Sequence, residues 1–263
     1  MRANPRILRS LLAASIAALV PALVAQTAPV RDLLATPRQR IEAADYRVSG
    51  HLVWVQTSGE RINFPIAIKA HWFPGVLRVL AEIGQPPTAP RDMRENVLLE
   101  MRPNGENTIR IAEPGDTAAR IVPFERWDVH VLAPGLAYED LLEQQYFWPG
   151  QASEGKAKFG ARDCEVVRST PGPTDKTHYA EVKTWFDPSI GFPVYVEKTV
   201  KDTRAVKEFT YFGLRHDQGM WSAHQIEVKT RGQAGSTLLI IDRGSAKAKL
   251  GIADFNPAQL TRF

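Results

Sequence analysis

Cysteine is almost absent: Cys164 is the sole thiol in 263 residues, so no intramolecular disulfide can form. In the run Cys164-Glu165-Val166-Val167 it reads as a buried strand residue, and its acidic neighbour disfavours a reactive thiolate. The chain also lacks a Gly-x-Ser-x-Gly nucleophile elbow and any Gly-rich loop leading from strand into helix, which removes two common catalytic and phosphate-binding signatures. None of the six histidines forms a His-x-x-x-His pair or stands beside the cysteine. His216 and His224 flank a turn near Asp217 and read as exposed hairpin residues rather than a metal centre. Charge of one sign is lacking too, with 33 Lys and Arg against 29 Asp and Glu. The formal charge of +4 argues weakly for nucleic acid, and falls to +1 without the three arginines near the N-terminus. The expectation is no catalytic residue, no metal, no cofactor and no nucleic-acid partner.

What is present begins with a leader. Arg2, Arg6 and Arg9 form a basic stretch ahead of an apolar run, Leu11–Val20, which Pro21 breaks before Leu23-Val24-Ala25. This is the pattern of a secretory signal peptide, and the run is shorter than the roughly 20 residues that span a bilayer. Cleavage is expected after Ala25, because Pro29 would block a cut after Ala28. No cysteine follows to take a lipid, so residues 26–263 are expected to form one soluble, exported domain.

Strand signals dominate that domain. Tyr46, Val48, Leu52 and Trp54 alternate with polar residues. After the Ser58-Gly59 turn, Ile62, Phe64, Ile66, Ile68, Ala70 and Trp72 share one face. Val76–Ile83, Asn96–Arg102, Thr108–Ala112, Arg120–Phe124 and Asp128–Leu132 follow, then Asp163–Ser169, Val206–Phe212, Trp221–Thr230 and Ser236–Asp242. Tyr179–Phe186 and Val194–Val200 flank Asp187-Pro188-Ser189-Ile190-Gly191-Phe192-Pro193, whose turn residues predict a hairpin with Val194, Val196 and Val200 on one face. Thr36-Pro37 predicts a short helix over Pro37–Asp45. A second helix is expected after Pro134-Gly135, with Tyr138, Leu141 and Leu142 on one stripe and Glu139 and Asp140 as helix-start acids. Lys198, Lys201, Arg204 and Lys207, interleaved with Glu197, Asp202 and Glu208, read as solvated hairpin edges. Eleven or twelve short strands with two or three helices imply a curved antiparallel sheet packed on helices.

The chemistry that stands out is apolar. Trp54, Phe64, Trp72, Trp127, Phe147, Trp148, Trp185, Phe186 and Trp221 are many large rings for an exported β protein. On a curved sheet, Trp54, Ile62, Phe64, Ile66, Ile68 and Trp72, with Leu77 and Val79 on the next strand, would line the concave side. That side either fills as core or stays open for an apolar ligand. Tyr138, Leu141 and Leu142 would be its lid.

From about Tyr138 onward the chain resembles the LolA-like, outer-membrane lipoprotein-sorting family. The resembling pieces are Ala137-Tyr138-Glu139-Asp140-Leu141-Leu142, Gly160–Val167, and Val182–Asp187 running on through Gly191-Phe192-Pro193-Val194. Asp217–Trp221 with Gln225–Val228 and Asp254-Phe255-Asn256-Pro257 complete them. The resemblance implies a half-open, roughly eleven-stranded barrel covered by helices. It also implies a periplasmic, non-enzymatic carrier that shelters lipoprotein acyl chains or another lipid, with an inner- or outer-membrane protein as a possible partner. Two other readings stand beside it. One is a regulatory module on the same fold that binds a membrane protein's periplasmic segment. The other is an envelope-lipid hydrolase, for which the sequence offers no nucleophile and base.

Overall fold

A computed structural model describes residues 29–87, 92–128, 135–217 and 219–263. The leader lies outside these, as does most of the expected Asp128–Leu132 strand. Six strands come first: β1 (Asp45–Val55), β2 (Arg61–Phe73), β3 (Val76–Ile83), β4 (Glu95–Met101), β5 (Thr108–Ala112) and β6 (Arg120–Ile121). Seven follow: β7 (Gly150–Phe159), β8 (Arg162–Thr170), β9 (Tyr179–Asp187), β10 (Phe192–Val200), β11 (Val206–Asp217), β12 (Met220–Thr230) and β13 (Ser236–Ala246). Each set is an antiparallel meander, and β1 pairs with β13 to join them into one 13-stranded sheet, ordered β6-β5-β4-β3-β2-β1-β13-β12-β11-β10-β9-β8-β7. The sheet is open, with β6 and β7 as its edges. This corrects the expected half-open, roughly eleven-stranded barrel.

The alternation in the sequence sets the faces. Across β1 and β2, Tyr46 stands opposite Ala70, Val48 opposite Ile68, Leu52 opposite Phe64 and Trp54 opposite Ile62, so all eight point to one side. That inner face carries the main core, which continues through Val97, Leu99, Ile109, Val182, Val196 and Phe209. Burying each such aliphatic or aromatic side chain contributes about 1.5–3 kcal/mol. At the seam, Gly50 marks a register shift, and a Cβ there would fall 1.9 Å from the Ile240 carbonyl oxygen. Only glycine lets β1 and β13 approach there.

The outer face of the first meander is covered by the C-terminal segment. Leu250, Phe255 and Leu260 pack on Leu80, Leu98 and Ala112, which is why β4 is buried on both faces. Asp45 anchors this segment by accepting the Lys249 and Leu250 backbone N–H groups at 2.9 and 3.0 Å. Asn96 Nδ2 donates to the Leu260 carbonyl at 2.7 Å.

The one α-helix among the described residues, α1 (Val30–Glu42), lies against the inner face. It begins seven residues before the expected start, and Thr36 and Pro37 lie inside it rather than at its cap. Leu33, Leu34, Pro37 and Ile41 are its buried stripe. Burial of that stripe outweighs the hydrogen bond lost at proline. The expected second helix is replaced by two 3-10 turns, Tyr138–Leu141 and Gln144–Tyr146. Likewise Arg120–Phe124 yields only the two-residue β6 before a 3-10 turn at Phe124–Arg126.

The hairpin of β9 and β10 forms as its turn residues predict. Asp187 Oδ1 accepts the Ser189 N–H at 3.0 Å, and Gly191 takes φ +62°. Gly191 also seats α1: a Cβ there would lie 2.8 Å from Thr36 Oγ1. Gly191→Ala is expected to lower stability by about 1–2 kcal/mol, from backbone strain together with that clash. Urea denaturation reads the shift; an unchanged midpoint would show that α1 does not depend on this contact.

Candidate functional site on the inner face

The eight expected liners lie side by side on the inner face, Trp54 from β1, Ile62 to Trp72 from β2, Leu77 and Val79 from β3. Phe64, Ile66 and Leu77 are buried, whereas Trp54, Ile62, Ile68, Trp72 and Val79 keep part of their surface exposed. Ile226, Leu239 and Tyr211, from the second meander, are also half-buried against the same cluster. A cleft of about 170 Å³ opens at Trp54, between Val228, Thr230, Gly135 and Ser236. Another of about 170 Å³ opens between α1 and the second meander, at Pro37, Arg40, Phe192, Met220 and Trp221. A cavity of about 150 Å³ admits a benzene ring, so each cleft has room for the end of an alkyl chain.

Of the expected lid residues, Tyr138 and Leu142 are buried and Leu141 is half-buried. The segment is a strap tied by three consecutive side chains to separate parts of the sheet. Tyr138 donates its hydroxyl to Glu95 Oε1 on β4. Glu139 Oε2 accepts the His178 backbone N–H at 3.0 Å and lies 3.4 Å from His178 Nδ1, just before β9. Asp140 reaches three strands: Oδ1 accepts from Tyr179 Oη on β9 and from Lys198 Nζ on β10 at 3.3 Å, and Oδ2 from Lys207 Nζ on β11 at 2.9 Å. The Ala137 N–H also donates to Asp140 Oδ2, at 2.8 Å. After the strap, Arg40 on α1 makes a two-pronged bond to Glu143 at 2.7 and 2.8 Å, and Arg38 Nε donates to the Tyr146 carbonyl at 2.6 Å.

Electrostatics follow from burial and these partners. Burial pushes the Glu95 carboxyl up to about 7, and the Tyr138 hydroxyl only partly offsets it. For Asp140, burial also acts upward, but Lys207 and Lys198 outweigh it and hold the carboxyl below its usual range. The His178 imidazole is raised, chiefly by its bond to Glu139. Its ring stacks on Phe124, with centroids 4.4 Å apart.

Two expectations therefore change. Glu139 and Asp140 are buried anchors, not the exposed acids of a helix start. Lys198 and Lys207 are buried on the inner face rather than solvated at hairpin edges, with side chains only 5% and 9% exposed. A signal existed for Lys198, which occupies the inward position between Val196 and Val200 in a face otherwise apolar. Elsewhere, Cys164 is buried in β8 as expected. His216 contacts the Trp221 ring. Among the described residues, no three His, Cys, Asp or Glu side chains gather as a metal site, and no helix is long and apolar enough to cross a membrane.

Comparison with known proteins fits this architecture. A family described as "uncharacterized protein" matches residues 134–262. No curated protein matches the sequence. A putative outer membrane lipoprotein-sorting protein domain from Vibrio parahaemolyticus is similar in structure, with TM-score 0.76 and 18% identity, over 89% of this chain and 100% of that one. A DUF1329 family protein from Desulfovibrio piger gives TM-score 0.75 and 17% identity over the same shares. A LolA superfamily protein from Nitrosomonas europaea gives 0.63 and 13%, over 88% of this chain and 98% of that one. The expected likeness thus extends across both meanders, and the chain has the fold of the LolA-like, lipoprotein-sorting superfamily.

Proposed function

We propose that the protein is a non-enzymatic carrier that shelters an apolar or acylated ligand against the inner face, in the periplasm. The half-exposed inner row Trp54, Ile62, Ile68, Trp72 and Val79 carries this reading. These large apolar groups lie on the side covered by α1 and the strap, yet they retain surface that an alkyl chain can cover. Covering it contributes about 0.8 kcal/mol per methylene, so part of one chain suffices for reversible binding. Phe64, Ile66 and Leu77 form the floor; Tyr138, Leu141 and Leu142 form the cover. A whole chain exceeds a 170 Å³ cleft, so loading requires the strap or α1 to lift. The structural likeness to a putative lipoprotein-sorting domain supports an acylated cargo, and the leader pattern of residues 1–25 supports export.

The test is organic extraction of protein purified from periplasm, together with titration of a fluorescent fatty-acid probe. Co-purifying lipid or lipoprotein, with saturable probe binding that weakens in Ile68→Glu, is the expected result. Absence of both lipid and probe binding sinks the carrier reading and leaves a protein-binding module on the same fold.

A further inference from the structure

Of the three ties that hold the strap, the one to β4 is built on an acid rather than an ion pair. Glu95 is 3% exposed and stands opposite Ile83 across the ladder, in the same inner row as Val97 and Leu99. Its partner is the Tyr138 hydroxyl. Arg120 on β6, the cation that acts on it, is bound to Glu113 at 2.7 Å and to Asp116 at 3.4 Å. Glu113, just after β5, acts on it too and repels a charge there. Just before β4, Arg94 is bound to Asp92 at 2.7 Å. A carboxyl enclosed among apolar side chains with one neutral donor is stable there as the acid, and once ionised it gains by reaching water. Because Glu95 points to the inner face, lifting Tyr138 uncovers it while the ladder stays intact.

The tie two residues on has the opposite character. Asp140 is matched by Lys198 and Lys207, which keep its carboxyl ionised and anchored through neutral pH. We propose that the strap is a pH-gated cover: it lies closed on the inner face while Glu95 is protonated, and lifts at Tyr138, pivoting on Asp140, when Glu95 ionises. Between the two, Glu139 accepts the His178 backbone N–H whatever the charge on the ring. The attraction of Glu139 for the His178 ring, on which Asp128 and Asp202 also act, fades in the same direction as pH rises. Burial holds the proton on Glu95 up to about 7 in the closed strap, whereas a hydrated carboxyl loses it near 4.5. Opening therefore releases a proton between those values, and rising pH favours it by about tenfold from pH 6 to pH 8. Resting on the carrier reading, the consequence is that the ligand is held in mildly acid surroundings and released as they turn alkaline.

The Glu139 N–H, which donates to the Trp127 carbonyl at 3.1 Å, reports the lift. Its hydrogen exchange is read by NMR and corrected for the intrinsic rate at each pH. It is expected to exchange faster than amides at the centre of β2, and to lose about tenfold in protection from pH 6 to pH 8. In Glu95→Gln the same amide should lose less than about threefold. Dissociation of N-phenyl-1-naphthylamine, a neutral fluorescent probe, should quicken by about tenfold over that range in the unmodified protein, and by less than about threefold in Glu95→Gln. A Glu139 amide as protected as the centre of β2 overturns the gate, because only global unfolding then exposes it. An equal loss of protection in both proteins overturns it as well. Probe binding with a flat dissociation rate overturns the gate and leaves the carrier reading intact. Failure of the probe to bind removes the carrier reading, while a pH-dependent Glu139 amide still supports the gate.

Discussion

Replacing Asp140 by Asn is expected to lower the unfolding free energy by about 3–5 kcal/mol, because it leaves two buried ammonium groups without a counter-charge. Asn retains the shape and can still accept from the Ala137 N–H, so the loss reports charge rather than packing. The companion variant sets the scale. Lys207→Met leaves Asp140 matched by Lys198, and should cost far less than Asp140→Asn. The pH dependence has a definite sign. A carboxyl held below its ordinary value contributes stability that is present above the ordinary carboxylate range and lost as pH falls through the lowered value. Urea denaturation at neutral and acid pH measures both effects. A loss below about 1 kcal/mol for Asp140→Asn would mean that the lysines are hydrated, not buried.

Glu95→Gln should act in the opposite direction. The wild-type carboxyl is held at about 7 by burial, against an ordinary value of 4.5. Between those values the folded state binds more protons than the unfolded chain, so stability falls as pH rises through that window. Below it both states are protonated and nothing is lost; above it the full cost of a buried carboxylate, about 3 kcal/mol, applies. Gln keeps an acceptor for the Tyr138 hydroxyl and carries no charge. The variant is therefore expected to be about 2–3 kcal/mol more stable than wild type at pH 8, with the difference vanishing near pH 4.5. Unfolding curves at pH 4.5, 6 and 8 read this directly. Parallel pH profiles for the two proteins would contradict it.

These two residues lie where sequence reasoning reached least. The alternating runs of β1, β2 and the β9–β10 hairpin were legible, since one buried face writes a period of two into the chain. The edge strand β7 was not. Its sequence Gln151-Ala152-Ser153-Glu154-Gly155-Lys156-Ala157-Lys158 is nowhere buried and carries no apolar alternation, so backbone pairing with β8 and polar links such as Ser169 to Gln151 define it. The strap misled for a different reason. Tyr138, Leu141 and Leu142 have helical spacing, but Asp140 and Tyr138 are each drawn toward a different strand, which a continuing helix would not allow. For the expected liners, sequence placed them on one face and the structure supplied their exposure. The buried cations were missed because sequence neighbours supplied acids, Glu197 and Glu208, that sit on the other face with Tyr195 and Arg231.

The ladder between β1 and β13 has a consequence for synthesis of the chain. Tyr46 finds its partner in Ala246 and Trp54 in Thr237, so the first strand made waits on the last. The apolar row belongs to the early meander and Lys198 and Lys207 to the late one, and the seam and the strap connect them. A chain halted before Ser236 has the apolar row and both lysines, yet lacks β13, the strand that joins the two meanders. The continuous inner face is therefore a property of both meanders together, and neither meander alone forms it.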